Sequence, residues 1–420
     1  MRRTAALCLV LAPVALAVAT GVDPALGDDQ GYGVYRAHPE AIQWHSLLLH
    51  WAWVLFVPGL LGLLQPIRQR GAVLARISWV AIVLGLVSFS ALMAFDLILL
   101  AWVQNLPDDA VSRVDTAFQG MPWATYGWQM PGLVGWALAL VLTPITAARG
   151  RVVSWWTAAL ALAGVAGYVA FAVSPVPLNL TGPLLLVVAY GAAAWRLLRA
   201  PAGAGEGRAA EPDRYGTFRR RAGVVAMVAA PLAFAAGMAT VPNGTGDPLD
   251  HLRQPTTTQV SGFLLHLGWM LFLPAVLAMV ERGRAFTRIA GVVTAIGLIN
   301  FSALMLGDFT DLVARQQLEP AQADAVDVTF GGYTLFSLGW VLPGMLLTFV
   351  GLLAVTVSAA ADRVVRWWLP GLVAAGLAAF FMLGLGLLGV VGPLLLLVGF
   401  GLAARKLMRT GPRPQLSTVE

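Results

Sequence analysis

Four ionisable side chains lie inside apolar stretches of this sequence, where they could exchange protons or bind a cation: His50, Asp96, His266 and Asp308. Histidine changes charge near neutral pH, and a neighbouring carboxylate can orient its ring or balance its charge. A His–Asp pair in this setting therefore indicates a proton relay, a cation site, or an imidazole that binds a metal or haem. The alternative is a hydrogen-bonded clamp that only fastens one helix to the next.

These residues belong to a segment that occurs twice. The matches between the two copies include residues 89–93 and 301–305 (both Phe-Ser-Ala-Leu-Met), Asp96 and Asp308, and His50 and His266. The first two matches have the same offset along the sequence, and the offset between the histidines is slightly larger. Because an internal repeat defines the unit of folding, we expect each unit to carry one His–Asp pair.

The composition indicates a membrane protein. Of the 420 residues, 58% are hydrophobic and 11% are charged, and the mean hydropathy is +0.76. Too few polar groups are present to cover a soluble globule. Several apolar runs reach the roughly 20 residues that a helix needs to cross a bilayer, and they lack the alternation of a β-barrel. The net charge of +6 comes from basic residues in short loops, so the expected partner is the lipid bilayer and not a nucleic acid.

The apolar runs predict an all-α, polytopic bundle of twelve transmembrane helices in two six-helix repeats. The expected spans are 4–20, 46–65, 77–103, 122–147, 153–174 and 178–198, then 221–241, 261–280, 289–313, 333–358, 367–387 and 390–408. An even number of spans per repeat makes the two repeats parallel. The predicted division is a first repeat at 1–200, a flexible cytoplasmic linker at 201–218, a second repeat at 219–410 and a cytoplasmic tail at 411–420.

The first segment and the basic residues predict the orientation. Residues 1–20 resemble a signal peptide, but Arg2, Arg3 and Pro13 match Arg220, Arg221 and Pro231 of the second copy, which favours a retained helix. Lys and Arg number 23 on one side of the predicted spans and 4 on the other. This asymmetry predicts a multi-pass protein of the cytoplasmic (inner) membrane with both termini in the cytoplasm. The outer loops are acidic, either as a cation-attracting vestibule or because basic residues are kept inside.

Helix geometry places the His and Asp of each repeat at one depth. His50 lies 18 residues from Arg68, and Asp96 lies 20 residues from Arg76, so they stand about 27 and 30 Å from the cytoplasmic side at 1.5 Å per residue. His266 and Asp308 give similar depths. We therefore expect His–Asp pairs near the outer face, on neighbouring antiparallel helices.

Prolines recur inside the predicted spans, at Pro58 and Pro274 and at Pro131 and Pro343. Each removes a backbone hydrogen bond and can kink its helix. Such kinks mark the cavity and bending points of a transporter, or they merely shape the packing of a static bundle.

The two-half layout resembles that of the major facilitator transporters, although the loop after the second helix lacks their Gly-x-x-x-Asp-Arg pattern. The leading hypothesis is a small-molecule or ion permease with a site between the halves. The alternatives are a haem- or metal-binding membrane protein, with His50 and His266 facing each other, and a scaffold or assembly factor without a small ligand. Ser90 and Ser302 lie about 9 Å deeper than the aspartates, which argues against a hydrolase. Cys8 is the only cysteine, so the sequence has no disulfide or CxxC motif.

Overall fold

The structure is a computed structural model that describes residues 2–26, 31–199, 213–242 and 249–409. Within these ranges the regular elements are helices, and twelve of them are apolar and contain 16 or more residues. In chain order they are α1 (Arg2–Val22), α2 (Pro39–Leu64), α3 (Ala72–Asn105), α4 (Trp123–Arg149), α5 (Trp155–Phe171), α6 (Leu178–Arg199), α7 (Arg214–Thr240), α8 (Pro255–Val280), α9 (Ala285–Gln317), α10 (Thr334–Ala361), α11 (Trp368–Leu383) and α12 (Leu388–Arg409). The predicted tail at 411–420 and the linker as far as residue 212 lie outside the described residues.

Ten of these helices in the described ranges are long and apolar enough to cross a membrane. The other two, α5 and α11, are shorter, with 17 and 16 residues. At 1.5 Å per residue they extend only about 25 Å, against about 30 Å of hydrocarbon. The prediction of a helical membrane bundle is confirmed, with ten spans by length where the sequence suggested twelve.

Short helices cover one end of the bundle. They are Tyr32–Ala37, Asp108–Gln119, Asp250–Arg253 and Pro320–Gly331, and their apolar residues join the ends of α3 and α9 in a separate hydrophobic core. In Asp108–Gln119 the buried side chains Val111, Val114 and Phe118 recur every three or four residues along one face. The segments that the sequence predicts as loops at this end are thus partly helical, and we refer to this end as the cap.

Hydrogen bonds join the first and second halves of the chain at the cap. Asn105 Nδ2 donates to Thr329 Oγ1 at 2.9 Å, and the Tyr333 hydroxyl donates to Gln104 Oε1 at 2.8 Å. Trp51 Nε1 donates to the carbonyl oxygen of Gly339 at 2.9 Å. The cap therefore closes the bundle at this end by bonds between the halves.

The prolines at 131 and 343 each follow a π-helical turn, at Trp123–Gln129 and Ser337–Val341. Proline lacks the N–H group that would bond the carbonyl four residues earlier, and π-turns recur at such interruptions. For Pro343 that carbonyl belongs to Gly339, which accepts the bond from Trp51 described above. Both π-turns hold a fully buried tryptophan, Trp128 and Trp340.

Helices α3 and α4 cross at a pair of glycines. A Cβ atom added to Gly85 would overlap the backbone of Gly135, whereas one added to Gly191 on α6 would meet no atom within 4 Å. The absence of side chains at this crossing allows the two backbones to touch, as small residues do in membrane bundles.

We predict that Gly85→Val lowers the free energy of unfolding by about 1–3 kcal/mol, because the valine side chain forces α3 away from α4. Gly191→Val, which makes the same change inside a helix at an open position, should change it by about 0.5 kcal/mol or less. Thermal and denaturant unfolding in detergent measure both. Equal losses of stability in the two variants would contradict the packing described.

Candidate functional site

His50 lies on α2 with its side chain fully buried. Its Nδ1 is 3.0 Å from the carbonyl oxygen of Ser90 on α3, and its Nε2 is 3.0 Å from Oδ1 of Asn300 on α9. Its ring stacks on the indole of Trp340, with 3.4 Å between the ring centroids and 15° between the planes. The imidazole thus contacts one residue of its own half of the chain and two of the other half.

His266 on α8 has the corresponding environment. Its Nδ1 is 3.0 Å from the carbonyl oxygen of Ser302, and its Nε2 is 3.0 Å from Oγ of Ser88. Its ring stacks on Trp128, with a centroid distance of 3.8 Å and an interplanar angle of 18°. This ring, too, is buried and reaches across to the other half of the chain.

The partners of the two rings occupy matching positions of the repeat. Ser88 and Asn300 have the same offset along the sequence as the two Phe-Ser-Ala-Leu-Met segments, and so do Trp128 and Trp340. Each indole is held in place because its Nε1 donates to a backbone carbonyl, that of Ser88 for Trp128 at 3.0 Å and that of Asn300 for Trp340 at 3.1 Å. We refer to the six residues His50, His266, Ser88, Asn300, Trp128 and Trp340 as the imidazole layer.

Asp96 and Asp308 do not bond to these histidines. Each aspartate lies six residues, about 9 Å of helix, beyond the serine whose carbonyl meets the ring. The expected His–Asp pairing therefore does not form in this structure, because depth counted from the terminal arginines did not resolve one and a half helical turns.

The two aspartates lie toward the cap. Asp96 is half-buried and close to Tyr35. The pKa of Tyr35 is raised mainly by burial, and to a smaller extent by the charges of Asp96 and Asp23. Asp308 is exposed and packs against Gly262. Both carboxyl groups thus stand between the imidazole layer and the cap, and neither is part of the layer.

The histidines do not fit a haem or metal site in this arrangement. Both ring nitrogens of His50 and of His266 have hydrogen-bonding partners, whereas a metal ligand must offer a free ring nitrogen. In the part of the chain that the structure describes, no group of three or more His, Cys, Asp or Glu side chains could hold a metal ion.

A cavity of about 90 Å³ lies between the two halves, at the end of the bundle opposite the cap. Matched positions of the two copies line it, at the same offset as His50 and His266: Val57 and Leu273, Pro58 and Pro274, Leu61 and Leu277, Gly62 and Ala278, and Gln65 and Glu281. Two of the four predicted kink prolines thus face one cavity, and Pro131 and Pro343 are not among its lining residues.

The cavity has an apolar wall and a charged rim. At the rim, Glu281 forms an ion pair with Arg219 at 3.1 Å, and the guanidinium of Arg219 lies 5.0 Å from the ring of Tyr215. Burial raises the pKa of Glu281, and the nearby charge of Arg219 opposes that shift. At the other end of the cavity, Ile299 precedes Asn300 of the imidazole layer.

Sequence reasoning missed four members of the layer. Trp128 and Trp340 are matched in the repeat, but tryptophans in membrane helices usually pack or lie at the interface, so their positions carried no functional signal. Ser88 and Asn300 differ between the copies and went unnoticed for that reason. The signal that could have found them is their position, immediately before the two Phe-Ser-Ala-Leu-Met segments.

No protein-family model, curated protein or solved structure matches this chain. Its function is therefore inferred from its own residues.

We predict that His50 couples energetically to Asn300 and not to Asp96. In a double-mutant cycle, His50→Leu and Asn300→Leu should show a coupling energy of about 0.5–2 kcal/mol, the range of buried interhelical hydrogen bonds. His50→Leu and Asp96→Asn should be additive to within about 0.5 kcal/mol. Unfolding equilibria of the four variants measure both values, and a larger coupling to Asp96 than to Asn300 would refute the bonding described.

Proposed function

We propose that this protein is a small-molecule or ion permease of the cytoplasmic membrane, with its solute site between two pseudo-symmetric halves. The observation that carries the proposal is the cavity lined by paired residues of both halves and separated from the cap by the imidazole layer. A permease needs a site that opens to one side of the membrane at a time, near the boundary between its repeats. A cavity at one end and a bonded layer beyond it satisfy that requirement.

The proposed architecture is two parallel six-helix repeats, at 1–200 and 219–410. It is supported by the similar offsets between matching residues of the two copies and by the reciprocal contacts of His50 and His266 across the two halves. In this arrangement α5 and α11 are the fifth helices of their repeats and complete the twelve. The excess of Lys and Arg on one side of the spans predicted from the sequence, 23 against 4, supports cytoplasmic termini and a cavity that faces the cytoplasm.

The gate in this proposal is the imidazole layer. Opening toward the cap would separate His50 from Asn300 and His266 from Ser88, and it would unstack both rings from their indoles. Pro58 and Pro274 lie eight residues, about 12 Å, from His50 and His266 on the same helices. Helices bend where proline has removed a backbone bond, so α2 and α8 have hinge points in the wall of the cavity.

Asp96 and Asp308 have a separate part in this proposal. They lie on the cap side of the imidazole layer, where carboxylates attract cations and repel anions. Together with His50 and His266 they would line the path from the cap to the gate, with the aspartates as an electrostatic filter rather than as ligands of the histidines.

The second candidate is a scaffold or assembly factor. It is favoured by the fully bonded state of both imidazoles, since such a layer also serves as a static clamp between the halves. The two candidates differ in whether the layer has to open.

We predict that cross-linking the halves at the cap abolishes transport. Cys8 is the only cysteine of the chain, so Cys8→Ala provides a thiol-free background. Asn105→Cys and Thr329→Cys, at positions that are hydrogen-bonded across the halves, would then be joined by a short thiol-specific cross-linker. Proteoliposomes in a ¹³C-labelled bacterial metabolite extract report uptake by mass spectrometry. At least one solute should enter the uncross-linked vesicles, and cross-linking should reduce its uptake at least tenfold.

The matched control joins two positions of one half, Ser78→Cys and Thr146→Cys, whose hydroxyl oxygens are 3.4 Å apart. It should leave uptake within about twofold, because the halves move as units in the proposed cycle. Uptake that persists in the Asn105–Thr329 cross-link, or no solute above protein-free vesicles, would exclude the permease and leave the scaffold.

A further inference from the structure

The two imidazoles differ in the partner of Nε2. In both rings Nδ1 faces a backbone carbonyl, which only accepts hydrogen bonds, so Nδ1 carries a proton. For His266 the partner of Nε2 is the Ser88 hydroxyl, which can donate. A neutral His266 therefore satisfies both of its contacts. The Ser88 hydroxyl is also 3.6 Å from the sulfur of Met270, which is a weaker acceptor than an imidazole nitrogen.

For His50 the partner of Nε2 is an amide oxygen. The orientation of the Asn300 amide follows from its other bond, because Nδ2 donates to the carbonyl oxygen of Ile296 at 2.8 Å. Turning the amide over would place Oδ1 against that carbonyl, with two acceptors at hydrogen-bonding distance. With Asn300 in this orientation, Oδ1 can only accept, so Nε2 of His50 must also donate. Donation from both nitrogens requires an imidazolium.

The stacking partner suits a cation. The indole of Trp340 lies 3.4 Å from the His50 ring, centroid to centroid and nearly parallel. Indole is the side chain whose face attracts cations most strongly. Two acceptor oxygens, of Ser90 and Asn300, and the aromatic face of Trp340 therefore all favour a positively charged imidazole.

Other charges do not balance this ring. Away from the basic ends of the surrounding helices, the ionisable side chains include Cys8 on α1, Tyr35 before α2, His45 on α2, Asp96 on α3, Tyr126 on α4, His266 on α8 and Asp308 on α9, and α10 carries none. None of these side chains is hydrogen-bonded or ion-paired to His50. Burial itself opposes the charge. The proton is therefore retained only while Asn300 and Trp340 stay in contact with the ring.

We infer that His50 is a proton-binding site: it holds an imidazolium in this conformation and releases the Nε2 proton when the halves separate, while His266 stays neutral. The inference rests on the proposed permease and names a proton as its coupled ion. When the layer opens toward the cap, Nε2 loses its acceptor, and the proton passes to water that enters from the cap side. The ring then remains neutral with its Nδ1 proton on the Ser90 carbonyl. Rebinding of one proton at Nε2 restores the starting state.

The test is ¹⁵N NMR of the full-length protein, labelled at its five histidines, in lipid nanodiscs at pH 7. The spectrum should contain one imidazole with both nitrogens protonated that disappears in His50→Gln. Exchanging the Nε2 partners provides matched variants. Asn300→Ser gives His50 a hydroxyl partner and should convert it to the neutral form, whereas Ser88→Asn should create a second doubly protonated ring, at His266. Thermal unfolding of each variant shows whether it is folded.

A singly protonated His50 in the wild-type protein, or a doubly protonated His50 that persists in folded Asn300→Ser, would overturn the inference. Failure of the permease proposal gives a different result. Proteoliposomes that contain the pH-sensitive dye pyranine should show proton movement together with solute uptake, lost in His50→Gln and retained in His38→Gln. A protonated His50 without solute uptake would exclude the permease alone. Solute uptake without proton movement, and with a neutral His50, would exclude the proton site alone.

Discussion

The structure depends on the rule that polar groups inside a bilayer must bond to one another, because lipid offers them no partners. In the imidazole layer that rule joins the two halves of the chain. Each imidazole bonds to one carbonyl of its own half and one side chain of the other. Separating the halves exposes all of these groups at once. The layer therefore holds the two halves together as a unit, and it lies between the cavity and the cap.

The residues of the layer are brought together by local interruptions of the helices. Pro131 and Pro343 follow π-turns that hold Trp128 and Trp340, and the carbonyl without its helical partner at Gly339 is bonded by Trp51 of the other half. The carbonyl group that proline leaves without a bond in its own helix thus accepts a hydrogen bond from another helix. The same prolines that disturb the backbone place aromatic faces against the imidazoles, which links a sequence feature to the geometry of the site.

Residues that match between the two halves of the sequence explain why the site is double. They supply two histidines, two tryptophans and two bonding side chains at corresponding positions. Ser88 and Asn300 differ at one matched position, so that His266 faces a hydroxyl that can donate and His50 faces an amide oxygen that only accepts. A difference in one contact of the imidazole layer can therefore give His50 and His266 different charges without a change of fold. In the proposed permease, the small cavity next to this layer, about 90 Å³, suits a solute of modest size.

Hydropathy alone determined that this chain forms membrane helices, because a bilayer imposes length and apolarity on every span. The matching sequence segments likewise identified His50 and His266 as candidate functional residues, since ionisable groups in membrane helices are energetically costly. Only the tertiary structure decided what they touch. Their contacts with Asn300, Ser88, Trp340 and Trp128 depend on how one half packs against the other, and Asp96 and Asp308 lie one and a half turns away from the positions that would pair them. The position of a residue along a helix sets its approximate depth in the membrane. Whether its side chain forms a hydrogen bond also depends on the rotation of the helix about its axis and on donor–acceptor distances that differ by about an ångström.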